Sequence, residues 1–147
     1  MIRFEHSLDI DRPPVEVFAY MTDVAHMPEW QSGVLEVELQ GAMAKGTRTR
    51  ELRKFLGRRL EMEQEVTAYE PGRRFGVKTA SGPFPVSVTM LLKQRKGGTT
   101  LRFKGQADTG GFFKHAEPLV ARLAERQVKT DLETLKDILE GGATGSA

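Results

Sequence analysis

Hydrophobic and polar residues alternate along most of the first hundred positions, and a period of two is the signature of half-buried β-strands. The pattern is clearest from Ile2 to Ile10, where every second residue is apolar or histidine. It recurs at 35–39, 47–55, 58–67, 75–79, 86–92 and 100–104. Turn residues such as Gly97-Gly98 separate the segments. The chain is therefore predicted to form seven antiparallel strands.

Helical patterns interrupt and then follow these strands. The residues after Pro13-Pro14 suit a short helix, and Asp23 is predicted to cap a second one that runs through His26. A long amphipathic helix is predicted from Phe112 to Glu140. Its apolar stripe consists of Ala121, Ala124, Val128, Leu132, Leu135 and Leu139. Such a stripe needs an apolar sheet face to lie on, and a helix held by a curved sheet leaves room for a cavity.

Composition narrows the class of protein. The 147 residues fit a single domain, expected over 1–140 with a flexible tail at 141–147. The net charge of +2 is too small to favour a nucleic-acid partner, and the absence of cysteine excludes disulfides and thiolate chemistry. No segment has the ~18 apolar residues of a membrane span. We expect a cytoplasmic protein without stable membrane insertion.

Four segments resemble a known superfamily in their order and spacing. They are Ile10–Phe18, Met27–Trp30, Val66–Pro71 and Leu132–Glu140. Together they resemble the START-like (SRPBCC) superfamily, and its polyketide cyclase/dehydrase and lipid-transport branch most of all. The resemblance implies an α+β helix-grip fold. In that fold a seven-stranded curved antiparallel sheet, two short helices and one long C-terminal helix enclose a cavity.

The register of one hairpin decides which side chains face that cavity. If Leu56-Gly57 is a two-residue turn, Thr49 lies opposite Gln64 and Glu51 lies opposite Met62. All four side chains then point inward. A one-residue bulge would instead turn the alternate set inward, namely Arg48, Arg50 and Leu52.

Two candidate catalytic residues follow from the inward face. A carboxylate at Glu51 in an apolar pocket would act as a general acid or base, unless it pairs with Arg53. His6 shares the face of Phe4 and Leu8 and is either a proton carrier or a core residue. The predicted ligand-binding set is Trp30, Thr49, Met62, Gln64, Val88, Met90, Phe103, Phe113, Val120 and Ala124.

Other polar residues receive structural interpretations. Asp131 is expected at the solvated edge of the helix stripe, and Trp30 either reaches the pocket or caps the core. A basic cluster, Arg48, Arg50, Arg53, Lys54, Arg58 and Arg59, interleaves with glutamates along the same hairpin. Cross-strand ion pairs explain this cluster without a partner. The three histidines lack metal-ligand spacing, and no phosphate loop or nucleophile elbow is present, so neither a metal nor another cofactor is expected.

Two function classes remain, with a third implied by the resemblance. The first is a carrier or sensor that binds a small hydrophobic molecule (a lipid, isoprenoid or polyketide-like compound) in the cavity. The second is a polyketide cyclase or dehydratase that acts in the same cavity. The third is a partner-binding subunit similar to the superfamily's co-chaperones. A homodimer is compatible with each of them.

Overall fold

The computed structural model describes residues 1–112 and 116–142, and its strands form one antiparallel sheet. The strands are β1 (Ile2–Ile10), β2 (Val34–Gln40), β3 (Arg48–Phe55), β4 (Arg58–Glu70), β5 (Arg74–Ser81), β6 (Val86–Arg95) and β7 (Gly98–Ala107). Their order in the sheet is β1-β7-β6-β5-β4-β3-β2. The chain therefore starts at one edge, crosses to the other, and returns strand by strand to lie beside β1. The predicted α+β fold with seven antiparallel strands is confirmed.

Three helices complete the fold, and two of them differ from the predicted bounds. They are α1 (Pro14–Thr22), α2 (Met27–Trp30) and α3 (Glu117–Asp137), which continues into a π-helical turn at Ile138–Gly142. The second short helix lies after His26 rather than before it, because Pro28 suits a first helical turn. Among these helices, none is long and apolar enough to cross a lipid bilayer.

The long helix begins at Glu117 rather than at Phe112. Pro118 lies in its first turn, where the missing N–H leaves no hydrogen bond unmade. A proline deeper inside a helix would instead clash with a carbonyl of the preceding turn. The apolar stripe predicted the helix correctly, but the proline sets where it can begin.

The β3–β4 hairpin has the register of a two-residue turn. Thr49 is paired with Gln64 and Glu51 with Met62, as predicted, so the alternative with Arg50 facing inward is wrong. Leu56 and Gly57 form the turn with φ angles of 53° and 76°. Positive φ at both positions is typical of the type I′ turns that close two-residue hairpins.

Helix α3 covers the sheet but does not fill the space beneath it. It packs on β1 and contacts α2, and Leu132, Leu135 and Leu139 join the buried core. The register of β4 is interrupted twice on its β5 side, and that of β2 once on its β3 side. Bulges of this kind bend strands. The bent sheet and the helix enclose a cavity.

Candidate functional site

A cavity of about 210 Å³, partly open to solvent, lies between α3 and the inner face of the sheet. Most of its wall is apolar. Five of the six methionines of the chain line it, namely Met21, Met27, Met43, Met62 and Met90. Unbranched, polarisable methionine side chains adapt to ligands of different shape. The wall is therefore suited to a hydrophobic ligand, but it does not select one particular ligand shape.

The structure brings nearly all of the predicted binding set to this cavity. Glu51 lines it together with Trp30, Thr49, Met62, Gln64, Val88, Met90, Phe103, Val120 and Ala124. Phe113 lies outside the described residues. Contact of these side chains with a ligand stays a prediction, but their common position follows directly from the strand register and the helix phase.

His6 is the candidate that the structure leaves outside the site. It is half-buried on β1, opposite Phe103 on β7. Unlike its strand neighbour Phe4, it is not among the residues that line the cavity. We therefore do not carry a proton-transfer role for His6 forward.

Alternate residues of β3 place a polar network at the cavity wall. Nε and Nη2 of Arg53 each lie 2.7 Å from Oε1 of Glu51, and Nη2 also donates to Oε1 of Gln31 at 3.0 Å. The hydroxyl of Thr49 donates to the other oxygen of Glu51 at 3.2 Å. Glu51 is only 5% exposed. Three donors therefore engage its carboxylate, two from Arg53 and one from Thr49.

Asp131 also faces the cavity, contrary to the expected solvated edge of the helix. Its Oδ1 accepts from the Ser32 backbone N–H at 3.1 Å and from the Ser32 hydroxyl at 2.8 Å. Burial raises the pKa of this carboxyl, while the Ser32 hydrogen bonds and the charge of Arg53 oppose that shift. Asp131 lies three residues after Val128 and four before Leu135, which is a spacing that could have revealed its inward orientation.

Trp30 contributes the most distinctive polar atom of the wall. The residue is 2% exposed and lines the cavity. Within the described part of the chain its indole Nε1 has no hydrogen-bond partner. A buried donor without an acceptor is destabilising, and most native structures avoid one. An oxygen atom of a bound molecule would satisfy this N–H.

Sequence reasoning missed the polar side chains that follow α2 and those on α3. Gln31 and Gln127 also line the cavity, and Ser32 holds Asp131. These residues come from opposite ends of the chain and meet only because α2 contacts α3. Across residues 1–112 and 116–142, no cluster of three histidine, aspartate or glutamate side chains could hold a metal ion.

The sheet order and the long C-terminal helix that covers the cavity together define a helix-grip fold. A family model described as polyketide cyclase / dehydrase and lipid transport matches residues 1–140. The chain belongs to this family. A search of curated proteins finds no match.

Solved structures share the fold at low sequence identity. A START superfamily protein from Mycobacterium smegmatis is 12% identical with a TM-score of 0.82, covering 96% of this chain and 99% of that one. The di-domain ARO/CYC StfQ from the steffimycin biosynthetic pathway is 13% identical with a TM-score of 0.79, covering 97% of this chain and 52% of that one. The Aha1 dimer from Colwellia psychrerythraea is 20% identical with a TM-score of 0.67, covering 95% of this chain and 97% of that one.

Proposed function

We propose that this protein binds one small hydrophobic molecule in the cavity beneath α3, as a carrier or sensor. The observation that carries the proposal is the mostly apolar wall, rich in methionine, that surrounds about 210 Å³ of space. Removing apolar ligand surface from water contributes roughly 25 cal/mol per Å², which drives binding without a specific polar contact. Membership of a family that includes lipid transport supports the same conclusion.

The polar end of the cavity indicates the chemistry of the guest. Trp30 offers a donor that has no acceptor among the described residues, so a ketone, ester, ether or hydroxyl oxygen would fit beside it. Glu51 and Asp131 place two carboxyl groups in this part of the wall, with Arg53 as a cation beside them. A ligand carboxylate would meet like charge here. We therefore favour a neutral ligand with an acceptor oxygen over a free fatty acid.

Equilibrium binding of the neutral fluorophore N-phenyl-1-naphthylamine tests this proposal. Saturable binding of one molecule per chain is expected. Ala124→Leu, which fills space in the cavity wall, should weaken it at least about tenfold by overpacking. Ala19→Leu adds the same volume at an exposed position of α1 and should change little. Absence of saturable binding, or equal affinity in the Ala124→Leu variant, would refute the proposal.

A cyclase or dehydratase is the second candidate, and the position of Asp131 favours it. A buried carboxyl with a raised pKa is suited to donate a proton to a departing hydroxyl group. Because Glu51 is held by Arg53, Asp131 replaces it as the catalytic candidate. If a hydroxylated substrate is dehydrated by the wild-type protein, Asp131→Asn should lower turnover by ~10²–10⁴-fold. Unchanged turnover would exclude Asp131 as the proton donor, and absence of turnover in the wild-type protein would leave the carrier function alone.

A further inference from the structure

We propose that the tip of the β3–β4 hairpin docks the protein on anionic lipid membranes. The hairpin tip comprises residues Lys54 to Arg59. It carries one exposed leucine at its apex and three cations around it. Membrane docking is a separate property from ligand binding in the cavity, and an experiment that refutes one of the two proposals does not refute the other.

Leu56 occupies the apex in a conformation that disfavours it. Its φ of 53° lies in the left-handed region, and it is the one residue other than glycine with positive φ in the described part of the chain. Glycine and asparagine are the usual residues there. The leucine side chain is also 46% exposed. Neither backbone preference nor burial in the folded chain explains a leucine at this position. Insertion of its side chain into the apolar part of a membrane would explain it.

The charges of the hairpin tip are also unfavourable by themselves. Lys54 lies directly opposite Arg59 on the outer face of the hairpin. Like charges at opposed positions destabilise a strand pair. Arg58, on the other face, stacks over the Phe112 ring at 4.1 Å and donates to the Phe112 carbonyl at 3.0 Å. The fold thus gathers positive charge at the tip rather than dispersing it.

Ion pairs neutralise the rest of the hairpin but not its tip. Arg48 pairs with Glu63 across the hairpin, as the interleaved charges predicted, and Arg50 pairs with Glu38 of β2. Among described residues, the three cations of the hairpin tip have no carboxylate within 4.0 Å. The nearest acidic residues on the outer face are Glu36 and Glu61. Both pair with Leu52, which lies two positions further into the sheet than Lys54. The interpretation as a self-neutralised face is therefore wrong for the tip.

The hairpin tip lies at one end of the cavity. Phe55, whose side chain shares the inward face of Glu51 and Arg53, contributes to the cavity wall. Phe112, under Arg58, packs edge-to-face on Phe84 at 5.2 Å between ring centroids, and Phe84 also lines the cavity. A membrane held against the tip would therefore be close to the chamber that holds an apolar guest.

An anionic bilayer matches both features of the hairpin tip at once. Lys and Arg side chains near the bilayer surface are attracted by anionic headgroups, and an apolar side chain adds a second signal by entering the interface. A nucleic acid would use the cations but not the leucine. It would also need exposed aromatic rings for base stacking, and the tip's only ring, Phe55, is half-buried in the cavity wall.

Sedimentation with unilamellar vesicles tests the proposal on the full chain. Vesicles of equimolar phosphatidylcholine and phosphatidylglycerol should bind the protein, and phosphatidylcholine vesicles should bind it much more weakly. Added salt should reverse binding because it screens surface charge. The double variant Lys54→Ser/Arg59→Ser should bind about 10- to 30-fold more weakly. Leu56→Asn should also weaken binding, and it relieves the backbone conformation rather than threatening the fold.

Matched controls lie at the other end of the sheet. Lys93→Ser/Lys96→Ser removes the same charge near the β6–β7 turn, and Val15→Asn removes a valine that is 69% exposed near the β4–β5 turn. Both controls should keep wild-type vesicle affinity. The proposal is overturned if the wild-type protein does not bind the anionic vesicles. It is equally overturned if tip and control variants bind alike, or if an oligonucleotide binds the tip while vesicles do not.

Discussion

Nε of Arg53 lies 2.7 Å from Oε1 of Glu51 in the wall of the cavity. The two residues are two positions apart on β3, so both side chains point to the same face of the sheet. Through Gln31, Arg53 also ties the strand to the segment after α2. This contact holds the Glu51 carboxylate in place at the cavity wall.

Replacing Glu51 with glutamine should affect stability more than binding. The amide keeps an acceptor for Arg53 but removes the charge, so the free energy of unfolding should fall by about 1–3 kcal/mol. Affinity for N-phenyl-1-naphthylamine should stay within about tenfold of wild type. Urea unfolding and fluorescence titration measure the two quantities.

The control for this variant is Glu63→Gln. Its partner Arg48 lies 3.7 Å away in a more exposed pair, which should contribute at most about 1 kcal/mol. Equal loss of stability in both variants would mean that the Glu51–Arg53 contact contributes no more to the free energy of unfolding than the exposed Arg48–Glu63 pair does. A hundredfold loss of probe affinity in Glu51→Gln would show that Glu51 contacts the guest.

Asp131 should make stability depend on pH in a direction opposite to that of a salt-bridged carboxylate. Its pKa in the folded state is raised by burial, so the folded chain retains a proton that the unfolded chain releases. Stability should therefore decline as pH rises from the ordinary aspartate value of about 3.9 through the raised folded value. Asp131→Asn should lack this component, which would appear as a widening stability difference in favour of the variant. Parallel stability curves would show that Asp131 titrates normally.

Trp30 should discriminate between ligands by their acceptor oxygen. 2-Acetylnaphthalene and 2-ethylnaphthalene have similar shapes, but only the ketone can accept from the indole N–H. Wild-type protein should prefer the ketone, and Trp30→Phe should reduce that preference by about 2- to 13-fold. The ratio of the two affinities is the readout, because lost packing lowers both. An unchanged ratio would exclude Trp30 Nε1 as the donor.

Leu56→Asn should stabilise the protein by about 0.5–1 kcal/mol, because asparagine tolerates the left-handed region better than leucine does. Leu35→Asn makes the same change at a leucine that is 39% exposed in β2 without positive φ, and it should be neutral or destabilising. The urea midpoint of each variant gives the result. Destabilisation by Leu56→Asn would show that the leucine is held by packing within the fold.

Local rules predicted much of the cavity wall. Since a two-residue turn fixes the pairing of its strands, Leu56-Gly57 alone placed Thr49 opposite Gln64 and Glu51 opposite Met62. The α3 stripe added Ala124 and Leu132 to the same enclosure. These elements are predictable because each depends on a short stretch of chain with one dominant period.

The polar end of the cavity depends on contacts between distant segments. Ser32 and Asp131 are 99 residues apart in sequence, and no local pattern pairs them. Across residues 1–112 and 116–142, Trp30 Nε1 has no hydrogen-bond partner, and no local pattern predicts this because an acceptor from any distant segment could have supplied one. Pro118, in turn, obscured where α3 begins, because a proline fits both a first turn and a helix break.

The most direct test of the cavity as a ligand chamber is NMR of ¹³C-methyl-labelled methionines during titration with 2-acetylnaphthalene. Met62 and Met90 on the inner sheet face should show saturable shifts, with Met21, Met27 and Met43 as further reporters. Met1, which is 59% exposed and outside the cavity wall, serves as the internal control and should not shift. Saturable shifts confined to the cavity methionines are the predicted result. Unshifted Met62 and Met90 at saturating ligand would contradict the account.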